Sequence, residues 1–186
     1  MPILDREDDI YPSDLLENDS ILSDMERQWW CIYTKSRREK DLMRKLASFK
    51  ISHYGPVISK RYRSPNGRLR TSFVPLFANY IFMFASDDDR QQALKTNCIA
   101  KCNLIKDRET LVNDLRQILK VIDSGVALTA EAKLAPGNRV RVRSGPFAGY
   151  EGNVIRREGK TRLLLSIQYL AKGVSMEMDE GVLEPI

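Results

Sequence analysis

Ten residues near the middle of the chain, Pro75-Leu76-Phe77-Ala78-Asn79-Tyr80-Ile81-Phe82-Met83-Phe84, leave the fewest choices to the fold. From Asn79 on, an extended backbone sends Tyr80, Phe82 and Phe84 to one side and Ile81 and Met83 to the other. Neither side is polar, so the segment reads as a central strand covered on both faces. Pro75 has no amide hydrogen to give a ladder, which starts the strand after it and leaves Leu76 and Phe77 at a sheet edge or in a loop. A large aromatic in that place is either a core plug or a contact surface.

With 186 residues, 42% hydrophobic and 30% charged, the chain can bury one modest core and a smaller second one. No run of about eighteen apolar residues is present and the first residues are acidic, so neither a membrane span nor a secretory signal is expected and the cytosol is the default location. Cys31, Cys98 and Cys102 form no C-x-x-C pair, and His53 is the single histidine. Buried free thiols are the ordinary reading of such a set, and no metal or cofactor is expected. There is no P-loop, no G-x-G-x-x-G after a strand and no nucleophile beside a base, so an enzyme is not expected.

Net charge is +5, but the sign changes along the chain. Residues 1–26 hold nine Asp or Glu against one Arg, the composition of an unfolded acidic tail, assigned here to 1–27. From Trp29 to Arg70 the balance inverts to twelve Lys or Arg against two acids. A field of that sign on a folded domain attracts phosphate polymers or acidic protein surfaces. The acidic tail is a candidate to lie across that basic face.

Taken in order, Trp29 to Tyr33 reads as a strand, and Ser36-Arg37-Arg38-Glu39 as a capping box opening a helix. Leu42, Leu46 and Phe49, with Met43 beside them, form its packing face, and Arg37, Arg38, Lys40, Arg44 and Lys45 cover the rest. His53 to Pro56 breaks the helix. Val57 to Tyr62 and Arg68 to Phe73 are then two strands of a hairpin, joined through Asn66-Gly67, with Lys60, Arg61, Arg63, Arg68 and Arg70 around its arms and tip. After the central strand, Ser86 and three aspartates start a second helix, Ile99 to Ile105 returns as a strand, and Asp107 to Ile122 is a third helix. This order implies an α+β class, an antiparallel sheet with helices packed on it, over 28–122. Residues 123–134 read as a linker, and 135–186 as five short strands forming a small, partly open β barrel.

Two groups of residues carry a resemblance. Gly137 to Val154, with Arg139-Val140-Arg141-Val142-Arg143 and the turn Ser144-Gly145-Pro146-Phe147-Ala148-Gly149, resembles the KOW motif of the NusG family of transcription factors. Trp30-Cys31-Ile32-Tyr33 and Pro75 to Phe82 resemble that family's N-terminal (NGN) domain. Together they cover the chain from about residue 28 to its end. The resemblance implies an NGN α/β sandwich followed by a small SH3-like barrel, in a monomeric factor that travels with RNA polymerase and suppresses pausing and termination. It implies that Tyr33, Phe77 and Tyr80 meet the clamp helices of one large polymerase subunit, and that Arg90, Gln91 and Gln92 face the other. The first helix, with Arg37, Arg38, Arg44 and Lys45, would approach the phosphates of the non-template DNA, and Arg61 and Arg63 extend that basic surface.

Through its KOW domain the family recruits a small-subunit ribosomal protein or the termination factor Rho, and the matching candidates are Phe147, Tyr169 and Leu170. Tyr169-Leu170-Ala171-Lys172 departs from the loop of the housekeeping factor, which bears against Rho and is in keeping with a specialised antiterminating paralogue of the RfaH type. Arg162 to Lys172 is rich in helix formers, so a barrel that can also turn helical is a further expectation. A KOW-type RNA-binding or ribosome-associated protein is the competing reading.

Overall fold

A computed structural model describes residues 6–131 and 137–186, and these divide into two compact units, Met1–Arg108 and Glu109–Ile186. The first unit is built on one antiparallel sheet and one separate hairpin. In chain order its elements are β1 (Ile10–Tyr11), α1 (Asp19–Leu22), β2 (Gln28–Thr34), α2 (Glu39–Ser48), β3 (Ser52–Tyr54), β4 (Val57–Arg63), β5 (Leu69–Pro75), β6 (Tyr80–Ala85), α3 (Asp87–Leu94) and β7 (Ile99–Leu104). The sheet order is β1-β3-β6-β2-β7, and β4 pairs only with β5.

The central stretch behaves as its pattern requires. β6 lies between β3 and β2, and Ile81, Phe82, Met83 and Phe84 are all fully buried. On one face, Ile81 and Met83 join Ile32, Leu42, Met43, Leu46 and Ala93 in a core between the sheet and helices α2 and α3. On the other, the pairings Tyr33↔Tyr80, Cys31↔Phe82 and Trp29↔Phe84 line up an aromatic row. Trp29 packs on Phe84 with ring centroids 5.2 Å apart, and the Arg108 guanidinium caps Phe84 at 4.8 Å.

Several local expectations are corrected. The described part of the N-terminal segment packs onto the sheet, where an unfolded tail was expected. β1 pairs with β3 and covers that sheet edge, Leu15 and Leu16 are fully buried, and the Asp9 carboxylate accepts the Val57 N–H at 2.9 Å. Helix α2 starts at Glu39 with Arg38 as its cap and no side-chain cap bond, because Arg37 takes a left-handed conformation (φ 60°). Ser36 is therefore outside the helix, and Glu39 bonds elsewhere. Phe49 falls on the helix C-cap and is 40% exposed, so the packing face is Leu42, Met43 and Leu46. The residues after α2 form β3, too short to show a period, where a plain break was expected. The β4–β5 turn spans Ser64 to Arg68, with the Gly67 N–H donating to the Ser64 carbonyl and Gly67 at φ 74°.

The second unit holds most of α4 (Arg108–Asp123) and a six-stranded antiparallel sheet. Its strands are β8 (Leu128–Glu131), β9 (Arg139–Val142), β10 (Glu151–Arg157), β11 (Lys160–Ile167), β12 (Lys172–Glu177) and β13 (Leu183–Pro185), in the order β13-β9-β10-β11-β12-β8. β8 comes from the stretch read as a linker. The Ser175 hydroxyl donates to the Glu131 carboxylate at 2.7 Å, and the Arg162 guanidinium donates to the Thr129 hydroxyl at 3.0 Å. The glycines of this sheet are needed for close approach. A Cβ at Gly152 would sit 2.4 Å from the Leu164 carbonyl oxygen, and one at Gly173 would sit 2.2 Å from that of Leu165. Arg162 to Ile167 is strand here despite its helix-forming residues. Leu163, Leu164, Leu165 and Ile167 are all buried in the barrel, and burial of that size outweighs tenths of a kcal/mol of local preference.

Candidate functional site

The aromatic row on β2 and β6 is sealed along most of its length and opens at one end. Tyr33 and Tyr80 are opposite one another there, with ring centroids 5.2 Å apart in an edge-to-face contact, and Tyr33 is 37% exposed. Backbone geometry holds this end in place. Asn79, left-handed at φ 68°, accepts the Thr34 N–H at its carbonyl, and its own N–H donates to the buried Glu39 carboxylate, each at 2.8 Å. Glu39, which the capping box would have kept at the helix start, instead fixes the entry to β6. Burial, followed by Cys31 and Tyr33, pushes the Tyr80 hydroxyl above its ordinary pKa, so Tyr80 keeps its proton. Burial pushes the Cys31 thiol deeper in the row up to about 12.

Phe77 does not share this exposure. It is only 3% exposed and Leu76 only 5%, because the chain turns here, with the Tyr80 N–H donating back to the Phe77 carbonyl at 3.0 Å. The turn folds the ring inward, so of the two readings left open for Phe77 the structure takes the core plug.

Helix α3 carries a true capping box, with Ser86 and Asp89 each bonding the other's amide. Arg90 is committed within the unit: its Nε donates to Asp87 at 2.8 Å and its guanidinium sits 5.0 Å over the Trp30 ring. Gln91 and Gln92 next to it are exposed.

The basic residues fall into two groups. At the start of α2 and along it, Arg37, just before the helix, is exposed, the N-cap Arg38 pairs with Asp41 at 3.2 Å, and Arg44 on the helix reaches Glu7 at 3.6 Å. Glu7 is thus one point at which the acidic segment meets the basic face as expected. Lys45 is engaged by Asp41 at 3.2 Å, the Thr96 carbonyl and Cys98 Sγ. The Cys98 thiol and then Lys45 hold the Asp41 carboxyl below its ordinary range. On the hairpin, Arg61 and Arg63 are exposed on one face, with Thr71 and Leu69 as their cross-strand partners. Tyr62, between them in sequence, points to the opposite face and is 46% exposed. Sequence reasoning missed it, although an aromatic in a hairpin arm flanked only by cations was a legible signal.

In the second unit, Phe147 is half-buried in the β9–β10 turn and packs on Tyr150 at 5.6 Å. Tyr169, 45% exposed, and Leu170 sit on a short helical turn ended by Ala171, left-handed at φ 48°. A polar cleft of about 810 Å³ lies between α4 and the barrel, lined in part by Gln117, Lys120, Arg139 and Glu151. Across it the Gln168 N–H donates to Asp114 at 3.0 Å, while Arg139 and Arg141 hold Glu151 at 3.0 and 2.7 Å. The three cysteines are free, no group of metal-ligating residues occurs among the described residues, and no described helix is long and apolar enough to cross a membrane.

Comparison with known proteins adds to this geometry. The family model NusG, described as transcription termination factor nusG, matches residues 27–130, and a KOW motif matches residues 136–166. No curated protein matches the chain. Among solved structures, a chain from "Crystal Structure of MjSpt4:Spt5 complex conformation B" is 13% identical with a TM-score of 0.29, over 85% of this chain and 96% of that one. With one family model spanning more than half its length and a KOW motif following it, the chain belongs to the NusG family of transcription factors.

Proposed function

We propose that this protein is a transcription elongation factor that binds RNA polymerase through the open end of its aromatic row and suppresses pausing and termination. The observation that carries the reading is the Tyr33–Tyr80 pair, the one part of that row left accessible. Two rings held against each other by a fixed backbone form a rigid amphipathic anchor, and such anchors supply much of the energy of a protein contact. In this reading the clamp helices of one large subunit take Tyr33 and Tyr80, and Gln91 and Gln92 face the other. Phe77, buried, takes no direct part in the contact. Arg37, Arg38 and Arg44, with Arg61 and Arg63 on the hairpin, tether non-template DNA through phosphate, and Lys45 adds to their field. The barrel recruits a small-subunit ribosomal protein through Phe147, Tyr169 and Leu170, and the protein works in the cytoplasm.

The test is retention of purified polymerase on immobilised protein, followed by single-round elongation. Tyr33→Ala is expected to lower retention at least about tenfold, as loss of an aromatic hot spot does, while keeping the circular dichroism spectrum of the folded protein. Wild-type retention by Tyr33→Ala, or co-purification with ribosomal particles and no polymerase, would overturn the reading.

A further inference from the structure

Strand β8 lies ahead of the residues that match the KOW motif, and it adds a sixth strand to the barrel on the edge of β12. Its register sets Leu128, Thr129, Ala130 and Glu131 against Met176, Ser175, Val174 and Gly173. Little apolar area holds it there. Ala130 is exposed, Leu128 and Thr129 are half-buried, and only Glu131 is buried, at 6% exposure. The fastenings are polar instead. Glu131 accepts from the Ser175 hydroxyl at 2.7 Å and pairs with Arg157 at 3.0 Å, and the Thr129 hydroxyl accepts from Arg162 at 3.0 Å. Their partners do not depend on β8, since Arg162 also donates to the Ser175 hydroxyl at 2.9 Å and to the Ser175 carbonyl at 2.8 Å. Buried ion pairs often return little beyond their desolvation cost, so β8 is held less firmly than the apolar strands beside it.

The strand that β8 covers runs directly out of the turn carrying Tyr169 and Leu170. Ala171 ends that turn, β12 starts at Lys172, and Glu131 stands opposite Gly173. A partner seated on Tyr169 and Leu170 that continues in extended form meets the backbone edge where β8 already lies. On the basis of recruitment through Tyr169 and Leu170, we propose that β8 is an autoinhibitory strand: it pairs with the β12 edge in cis and has to leave before an extended segment of the ribosomal protein can pair there. Backbone hydrogen bonds supply the affinity of such strand addition, and β8 uses the same groups, so the two exclude each other. Residues 124–127 alone join β8 to α4, and a strand on so short a tether competes at an effective concentration on the order of millimolar. A free partner strand at lower concentration is shut out while Glu131 and Thr129 hold.

The experiment compares the full-length wild type with Glu131→Ala and Thr129→Val in two measurements, amide hydrogen exchange and binding to purified small ribosomal subunits at physiological salt. Both substitutions lie on β8 and leave the Arg162–Ser175 bonds of the barrel in place, so β10 and β11 should keep their protection. Exchange across residues 173–176 is expected to quicken about tenfold in Glu131→Ala, which loses two bonds to a charged group, and less in Thr129→Val. Affinity for the subunit should rise by the same factor, because apparent affinity scales with the fraction of molecules whose edge is open. Adding Tyr169→Ala to Glu131→Ala should abolish the gain, which separates binding through the barrel from attraction of ribosomal RNA to the basic surfaces. Unchanged exchange at 173–176 overturns the proposal, and so does faster exchange with wild-type affinity; in either case recruitment by the wild type stands. Absence of binding by the wild type and both variants overturns recruitment through Tyr169 and Leu170 and the proposal together.

Discussion

At the level of single residues, burial decides more than residue type does. His53 is 1% exposed, and its Nδ1–H donates to the Ile51 carbonyl at 2.9 Å. Burial holds its pKa below the ordinary 6.5. The unfolded chain therefore takes up a proton near pH 6.5 that the folded chain resists, and stability falls as pH drops from 6.5 toward the folded pKa. Because this is the single histidine, urea midpoints measured between about pH 7.5 and 5 should show that loss in the wild type and a flatter profile in His53→Gln. The thiols follow the same logic. Cys31 is pushed up to about 12 and Cys102 to about 11, both first by burial, and Cys98 is 1% exposed. A thiol reagent at pH ~7 should label the native protein very slowly and all three cysteines once it is unfolded. Phe77 belongs to this scale as well. The sequence could place a ring beside the central strand but could not say which way the turn would aim it. Truncating a buried ring costs about 3–5 kcal/mol, so Phe77→Ala would confuse unfolding with loss of a partner. Tyr33→Ala is the cleaner probe.

At the level of elements, the two serines that open helix signals separate cleanly. Ser86 caps α3 and Ser36 caps nothing, so Ser86→Ala should cost about 1 kcal/mol. Ser36→Ala should fall within about 0.5 kcal/mol of wild type in the same urea titration. The difference lies in Arg37, whose left-handed backbone moves the helix start to Glu39, and a capping motif cannot report the conformation of a neighbour. Long elements with a clear period were legible: β6 from its apolar run, α2 and α4 from their buried stripes, and the barrel from its alternation. β1 and β3, two and three residues long, were not, because so short a segment carries no period and is a strand only through its partners. β8 was hidden for the same reason. Gly173 marks how tightly these barrel strands approach. Gly173→Ala would press a Cβ on the Leu165 carbonyl oxygen and should cost about 2–3 kcal/mol, read as a lower thermal midpoint.

For the molecule as a whole, the acidic N-terminal segment shows composition and structure disagreeing, and the disagreement can be measured. Its many carboxylates mark it as a tail, yet the few apolar residues among them decide where it goes. Leu15 and Leu16 are fully buried and β1 closes the β3 edge, which would otherwise present unpaired backbone groups. Asp9, 5% exposed, accepts the Val57 N–H through its carboxylate and the Gly55 N–H through its carbonyl, fixing the chain where it leaves the sheet for the hairpin. Glu7 by contrast meets Arg44 at 3.6 Å on an arginine that is 65% exposed, and a pair so exposed to solvent contributes little. These two acids, two residues apart, should therefore behave differently. Asp9→Ala strands the buried Val57 N–H and should lower the unfolding free energy by about 1–3 kcal/mol. Glu7→Gln should leave stability unchanged and DNA affinity at low salt within about twofold, since it frees one cation among many. Equal stability of Asp9→Ala and wild type would mean that the segment is a tail after all. A large gain in DNA affinity for Glu7→Gln would mean that its charge, rather than its apolar residues, is what places it.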